Sequence, residues 1–284
     1  MLHSMLIDLH AHTKFSDGLL SVEELVKKAV RKKITALALT DHDTVEGLSL
    51  FVKTCAKYKM PAITGIELST EIDGIELHLV GYLKNWRHSA LTTALKIQQE
   101  KRLERARAII KKFRDLGFVI KPSEEISLLQ QKNVGKPQIG RAILKEKNNR
   151  DLLKRKYHWK DGLSKFIGNF LDKPGQIGYI QKHRLNSIEA IKLIKTCGGV
   201  VSLAHSDIEL ASPLLARKII AKLARAGLWG LEMPHVFPKN KKHLLPLAQK
   251  YHLAITFGSD THDGHRLGVK VKEKDWQKIS YLAD

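Results

Sequence analysis

The chain has 284 residues, of which 43% are hydrophobic, enough to bury the core of one large α/β domain or two smaller ones. No apolar run is long enough to cross a bilayer, which argues against a transmembrane helix. Lys and Arg number 49 against 29 Asp and Glu, and a formal charge of +20 attracts polyanions such as nucleic acid, nucleotides or an anionic surface. The same charge could also serve solubility alone.

Cysteine content and the first residues bear on location. The chain has only two cysteines, Cys55 and Cys197, and neither belongs to a metal-type pair. The apolar start is interrupted by His3, Asp8 and His10, which is unlike a signal peptide. These features predict a reducing, cytoplasmic setting. No membrane association and no obligate protein partner are expected.

The first predicted strand, Leu6–Leu9, leads into the sequence on which the functional interpretation depends. His10 and His12 follow it, and strand side chains repeat every two residues, so both imidazoles point to one side. Asp17 comes next, at a turn marked by Gly18. Two imidazoles and a carboxylate at a strand end indicate a divalent-metal site. Two solvated or core histidines are the alternative.

Strands and helices then alternate as far as residue 90. Ser21 and Glu24 have the spacing of a capping box at a helix start. The later elements are predicted as a strand at 34–39, a helix at 45–58, a strand at 62–66 ending at Glu67, and a strand at 75–80 containing His78. This alternation with short loops is typical of parallel βα units.

Residues 91–175 lack strand signals and are strongly basic. Apolar residues recur at helical spacing from Ala94 to Leu116, which predicts one long helix. The segment holds 21 Lys and Arg against 9 Asp and Glu. We interpret it as a helical insertion in a barrel formed by residues 1–90 and 176–284. An ordinary solvated helical surface is the alternative explanation of the charge.

Alternation resumes after the insertion. A short strand is possible at 177–180, before Lys182, His183 and Arg184. The remaining elements are predicted as a helix at 187–196, a strand at 200–203, a helix at 219–226, a strand at 228–231, a helix at 242–251 and a last strand at 253–257.

Imidazoles and carboxylates gather at or just after the predicted strand ends, which converge on one face of a closed parallel βα barrel. There are nine: His10, His12, Asp17, His42, Glu67, His78, His205, Asp260 and His262. Nine protein ligands exceed the capacity of one ion, so two or three divalent metals are expected. Mixed His and carboxylate ligands without Cys favour Mn, Fe or Zn over an Mg-only site. Glu67 or another carboxylate is expected to bridge two ions.

The order D-L-H-A-H, F-S-D-G, T-D-H-D-T, G-I-E, H-L-V-G-Y, A-H and G-S-D-T-H resembles the polymerase and histidinol phosphatase (PHP) superfamily. The resemblance implies a distorted seven-stranded βα barrel that hydrolyses phosphoesters at a multinuclear metal centre, with the nine residues as ligands. The helical insertion makes the chain similar to the branch that holds the 3′,5′-nucleoside bisphosphate phosphatases and the exoribonuclease RNase AM. In that branch the insertion caps the barrel mouth.

The same resemblance suggests contacts to substrate. Arg102 and Arg105 match positions where the branch places basic residues for substrate phosphates, and Lys136 is a third candidate. The branch usually has Arg-Pro-His where this chain has Lys136-Pro137-Gln138. Lys136 keeps the charge but not the planar fork that grips two phosphate oxygens, and Gln138 cannot donate a proton as a general acid.

The expected activity is metal-dependent phosphoester hydrolysis of nucleotides. The reaction removes the 3′-phosphate of a nucleoside 3′,5′-bisphosphate, degrades short RNA from its 5′ end, or both. A small-metabolite phosphatase, such as one for histidinol phosphate, and a PHP binding module without catalysis are the alternatives. Four aspartates next to ligands could orient imidazoles or could be turn and cap residues: Asp41, Asp43, Asp207 and Asp263.

Overall fold

A computed structural model describes residues 4–130, 134–206, 210, 212–233 and 241–283. Asp207 lies outside these ranges. The strands are β1 (Ser4–Asp8), β2 (Ala36–Leu39), β3 (Ala62–Ile72), β4 (Ile75–Tyr82), β5 (Leu185–Asn186), β6 (Val200–Leu203), β7 (Gly230–Glu232), β8 (Ala254–Thr256) and β9 (Val269–Lys272).

The helices are α1 (Val22–Arg31), α2 (Leu48–Lys57), α3 (Ser89–Asp115), α4 (Pro122–Leu129), α5 (Lys136–Lys145), α6 (Lys147–Tyr157), α7 (Leu163–Phe170), α8 (Ser187–Thr196), α9 (Pro213–Ala226), α10 (Lys241–Lys250) and α11 (Glu273–Gln277). Within the described ranges no helix is both long and apolar enough to span a membrane. The predicted capping box at the start of α1 is confirmed: Ser21 Oγ accepts the Glu24 backbone N–H, and the Glu24 carboxylate accepts the Ser21 N–H.

The chain divides into two compact units. The first, the sheet unit, contains Met1–Leu95 and Arg184–Asp284. The second, the helical unit, contains Lys96–His183, so it starts five residues and ends eight residues later than the insertion predicted at 91–175. The helical unit buries a core of its own, in which Phe113, Ile143 and Phe166 are fully covered.

One curled sheet forms the centre of the sheet unit. Its strand order is β8-β7-β6-β4-β3-β2-β1-β9, and β5 pairs with β3. Beyond β1 and β8 the chain continues the pairing: Leu9 donates its N–H to the Phe257 carbonyl, and Ala11 forms a parallel bridge with Thr261. These bonds bring the segments after the first and the eighth strand side by side.

The α/β barrel class is confirmed, but the sheet departs from an all-parallel barrel. β4 runs antiparallel to both β3 and β6, and β9 is antiparallel to β1. The described strands number nine rather than seven. The short strand expected at 177–180 is wrong, since that segment has no strand and Ile177 and Ile180 pack against the core of the helical unit.

One strand is longer than the sequence predicts, and another is absent from the prediction. β3 continues past Glu67 to Ile72 because it forms a long hairpin with β4 that pairs Ile72 with Ile75. Glu67 therefore lies in mid-strand rather than at a strand end. β9, with the sequence Val-Lys-Val-Lys, was missed; its valines are buried and its lysines exposed, as expected of a half-buried edge strand.

Candidate metal centre

The end of β1 places two imidazoles in the interior. His10 and His12 are both buried, and their ring centroids lie 5.0 Å apart. Ala11 between them packs into the hydrophobic core on the other side. The alternation of side chains beyond β1 therefore turns both histidines toward the same place. The turn at Gly18 packs so tightly on the backbone of His12 and Thr13 that a Cβ at Gly18 would overlap it.

The other ligand candidates come from the ends or middles of neighbouring strands. His42 follows β2 and forms a parallel bridge with Glu67. His78 lies in the middle of β4, not at a parallel strand end as predicted. Because β4 is antiparallel and pairs Leu79 with Leu203, the last residue of β6, His78 still lies close to His205. The Nδ1 atom of His78 is 3.2 Å from Nε2 of His205.

Glu67 is the centre of the cluster. It is fully buried, and its Oε2 lies 3.1 Å from His10 Nε2, 3.2 Å from His12 Nε2 and 3.1 Å from His42 Nδ1. Its Oε1 faces the other pair, 3.0 Å from His205 Nε2 and 3.5 Å from His78 Nδ1. The two carboxylate oxygens therefore face two different sets of imidazoles.

Asp17, Asp260 and His262 complete the arrangement on the remaining side. Asp260 Oδ1 lies 3.1 Å from His12 Nε2, and Asp17 Oδ1 lies 3.3 Å from His262 Nε2. Asp260 and His205 both have a positive backbone φ, which costs a non-glycine residue roughly 1–2 kcal/mol. Such cost is typical of functional positions, where the surroundings hold the backbone in place.

The nine predicted residues form three overlapping groups, and within each group the ligand atoms lie within 4.8 Å of one another. The groups are His12, Asp17, His42 and His262; His10, His12, Glu67 and Asp260; and Glu67, His78 and His205. His12 joins the first group to the second, and Glu67 joins the second to the third.

Several buried ligand atoms fit a cation better than they fit one another. Among the described side chains, His10 Nε2, His12 Nδ1, His42 Nδ1 and Glu67 Oε2 are buried without a hydrogen-bond partner. Donor atoms about 2.1 Å from one ion and at right angles lie about 3.0 Å apart, close to the spacings around Glu67. The residues present therefore fit divalent ions.

Charge pairing inside the cluster keeps its carboxylates ionised. Burial raises the pKa of Glu67, but the nearby charges of His10 and His42 lower it well below its usual range. Burial also opposes ionisation of Asp260, yet the hydrogen bond from His12 lowers its pKa to about 2. Partial desolvation raises the pKa of Asp17, but its hydrogen bond with His262 and the charge of His42 lower it below its usual range. All three are anionic at neutral pH, the state that metal ligation requires.

Two buried acids that sequence reasoning missed support this cluster. Glu232 ends β7, and both of its carboxylate oxygens lie 3.1 Å from His10 Nδ1. Asp8, the last residue of β1, accepts the backbone N–H groups of Ser259 and Gly268 and so holds the segment before Asp260 against β1. Each is a carboxylate at a strand end, and the pattern that indicated the nine candidates, an imidazole or a carboxylate at a strand end, therefore also includes these two.

The described aspartates next to ligands accept hydrogen bonds from nearby backbone N–H groups and hydroxyls. Asp41 accepts the backbone N–H and the hydroxyl of Thr13 and the hydroxyl of Ser16, which fixes the loop leading to Asp17. Asp43 accepts the backbone N–H of Ser69, and Asp263 accepts that of His265.

The three residues predicted to contact substrate lie in the helical unit. Arg102 and Arg105 are on α3, and Arg105 Nε donates to the Ile180 carbonyl at 2.7 Å. Lys136 begins α5, and its Nζ lies 2.5 Å from a carboxylate oxygen of Asp172. The Gln138 side-chain oxygen accepts the Gly135 N–H at the start of α5, which gives this residue a structural role. Their contacts with substrate stay predictions.

Known proteins resemble this chain over nearly its whole length. The sequence model of the family described as PHP domain matches residues 8–209. The chain is 28% identical over 266 residues to the 5′-3′ exoribonuclease Rnm of Salmonella typhimurium, which covers 92% of this chain and 86% of that protein. It is 26% identical over 265 residues to the 3′,5′-nucleoside bisphosphate phosphatase of Chromobacterium violaceum, with 90% and 87% covered.

A solved structure shows the same fold. It belongs to a Bifidobacterium adolescentis protein described as a candidate metal-dependent phosphoesterase. The TM-score is 0.74 at 22% identity, and the match covers 97% of this chain and 95% of that one.

Proposed function

The chain belongs to the PHP domain family, and we propose that it is a metal-dependent phosphoesterase acting on nucleotides. The proposed reaction removes the 3′-phosphate of nucleoside 3′,5′-bisphosphates, releases nucleotides from the 5′ end of short RNA, or both. The main observation in support of this activity is the set of three overlapping ligand groups, which are joined through His12 and the buried Glu67. Such a set suits two or three divalent ions, with Mn, Fe or Zn favoured by the ligand chemistry.

The nucleotide preference is supported by relatives and by charge. Relatives along most of the chain are named as an exoribonuclease and as a bisphosphate phosphatase. The helical unit, residues 96–183, holds 22 Lys and Arg against 9 Asp and Glu. We propose that it caps the barrel mouth and contacts substrate phosphates through Arg102, Arg105 and Lys136. A polyanionic substrate accounts for this charge better than a singly phosphorylated metabolite does.

Chemistry at the centre needs no nucleophilic side chain. Divalent ions held by the nine residues would supply Lewis acidity and would lower the pKa of a water molecule. The imidazoles and carboxylates of the chain hold the ions, and Glu67 presents one oxygen to each of two ligand sets. Basic side chains bind the phosphoryl oxygens and orient the ester.

Both cysteines are buried, and burial raises the pKa of Cys55 to about 12, which argues against a thiolate nucleophile. Free buried thiols also suit the proposed cytoplasmic setting.

A turnover screen of metal-reconstituted protein tests the proposal. The substrates are adenosine 3′,5′-bisphosphate, a 5′-phosphorylated oligoribonucleotide and histidinol phosphate, each with and without Mn²⁺. We expect metal-dependent release of phosphate or mononucleotide from one of the first two. Turnover confined to histidinol phosphate would support the small-metabolite phosphatase instead. No turnover on any substrate by a metal-loaded protein would favour the non-catalytic binding module.

A further inference from the structure

Glu232 contacts two of the proposed metal ligands and is not one itself. It is the last residue of β7 and only 2% exposed. Both carboxylate oxygens lie 3.1 Å from His10 Nδ1, and Oε2 also accepts the backbone N–H of His205 at 2.8 Å. The backbone carbonyl of Glu232 accepts the Ser206 hydroxyl. One residue on β7 is therefore bonded to the end of β1 and to the end of β6.

The position of the carboxylate determines which nitrogen of His10 faces the cluster. When Nδ1 carries the proton and donates it to Glu232, Nε2 has a free lone pair. That Nε2 is buried, has no hydrogen-bond partner among the described residues, and lies 3.1 Å from Glu67 Oε2. A carboxylate behind a ligating histidine sets its tautomer and ring orientation.

The chain packs closely against this pair. Gly258, just after β8, approaches His10 and Glu232 so closely that a Cβ there would overlap both side chains. Glu232 also has two donors to satisfy, the His10 ring and the His205 backbone N–H. Both carboxylate oxygens lie 3.1 Å from His10 Nδ1, whereas a glutamine places an NH₂ donor at one of these two positions, opposite the Nδ1–H.

We propose that Glu232 is a positioning residue that orients the His10 imidazole and the His205 backbone for metal binding. The inference rests on the proposed function, because it requires that His10 and His205 are ligands. Asp8 and Asp41 differ from Glu232 in that their described hydrogen bonds go to backbone N–H groups and hydroxyls rather than to a ligand imidazole.

The test measures the dissociation constants of Mn²⁺ and Zn²⁺ by competition with a fluorescent chelator. Three full-length proteins are compared: wild type, Glu232→Gln, and Asp73→Asn as the control. Asp73 is a carboxylate of the same unit that pairs with Lys222, so the control removes the same charge outside the cluster. We expect the Glu232→Gln protein to bind metal roughly 10- to 100-fold more weakly, and the control to bind as wild type does.

A second measurement does not depend on a variant that folds. In zinc-loaded wild type, ¹⁵N NMR of the histidine rings is expected to show His10 protonated at Nδ1 and coordinated through Nε2. Coordination through Nδ1, or a folded Glu232→Gln protein with wild-type metal affinity, would overturn this inference alone. A wild-type chain that binds neither ion would overturn the metal centre and this inference together.

Discussion

At the scale of single residues, Glu67 and Asp17 differ in how many ligand groups they belong to and in how exposed they are. Glu67 belongs to two of the three ligand groups, whereas Asp17 belongs to one. Glu67 is fully buried, and the side chain of Asp17 is 53% exposed. Loss of the Glu67 charge would therefore disturb two ligand groups, and loss of the Asp17 charge would disturb one.

We expect Glu67→Gln to abolish binding of more than one ion and to lower kcat by at least about 100-fold, since it removes a ligand and not only a neighbour of one. Asp17→Asn should lose at most one ion, and it should lower kcat far more than substrate affinity because it acts on the reacting centre. Elemental analysis and steady-state kinetics measure both effects. Asp263→Asn is the control, because Asp263 is an exposed aspartate beside His262 that accepts the His265 N–H. Equal metal content in all three variants would contradict the assignment.

Sequence pattern indicated the nine candidates and overlooked Glu232. Residues such as His10 and His12 lie in recognisable order along the chain, and their residue types suit metals. The role of Glu232 depends on the contact between β7 and the end of β1, two segments that are 222 positions apart. Neither periodicity nor composition reports such a contact.

At the scale of elements, local sequence signals predict individual strands and helices better than they predict which strands pair with each other. The predicted β6 and the capping box of α1 agree with the structure because both depend on adjacent residues. The direction of β4 could not be predicted, since an apolar alternating strand has the same pattern whether its partners are parallel or antiparallel. The hairpin with β3 and the pairing with β6 decide it.

The approach of the segment after β8 to β1 gives an element-scale prediction. Gly258→Ala should destabilise the fold by about 1–3 kcal/mol, because its methyl group overlaps His10 and Glu232. Gly168→Ala is the control: α7 leaves open space there, and alanine should stabilise by roughly 0.4–1 kcal/mol. Urea unfolding at equilibrium measures both. Equal stability of the two variants would contradict the close packing behind the cluster.

At the scale of the whole molecule, the sheet unit is assembled from both ends of the chain. Strands β1 to β4 are encoded before residue 90, but β4 pairs with β6 and β1 pairs with β9. We therefore expect residues 1–90 expressed alone not to fold, since the sheet lacks partners along two of its strands. Amide dispersion in a ¹H–¹⁵N NMR spectrum is the measurement. A dispersed, native-like spectrum from this fragment would contradict a single barrel built from both segments.

The charge of the helical unit leads to a prediction about substrate. Arg102→Ala should lower kcat/KM for a bisphosphate or an oligoribonucleotide by roughly 10- to 100-fold, with little change for an aryl phosphate, because it removes a charge-assisted contact to a second phosphate. Arg155→Ala, on the exposed surface of α6, removes the same charge elsewhere in the unit. Equal losses on both kinds of substrate would mean that Arg102 serves the reacting phosphate or the fold.

The central claim is that nine residues from both ends of the chain form one multinuclear metal centre. Elemental analysis of the full-length protein, purified without chelators, tests it most directly. The geometry around Glu67 and His12 predicts at least two equivalents of transition metal per chain. Less than one equivalent, not restored by added Mn²⁺, would contradict the account.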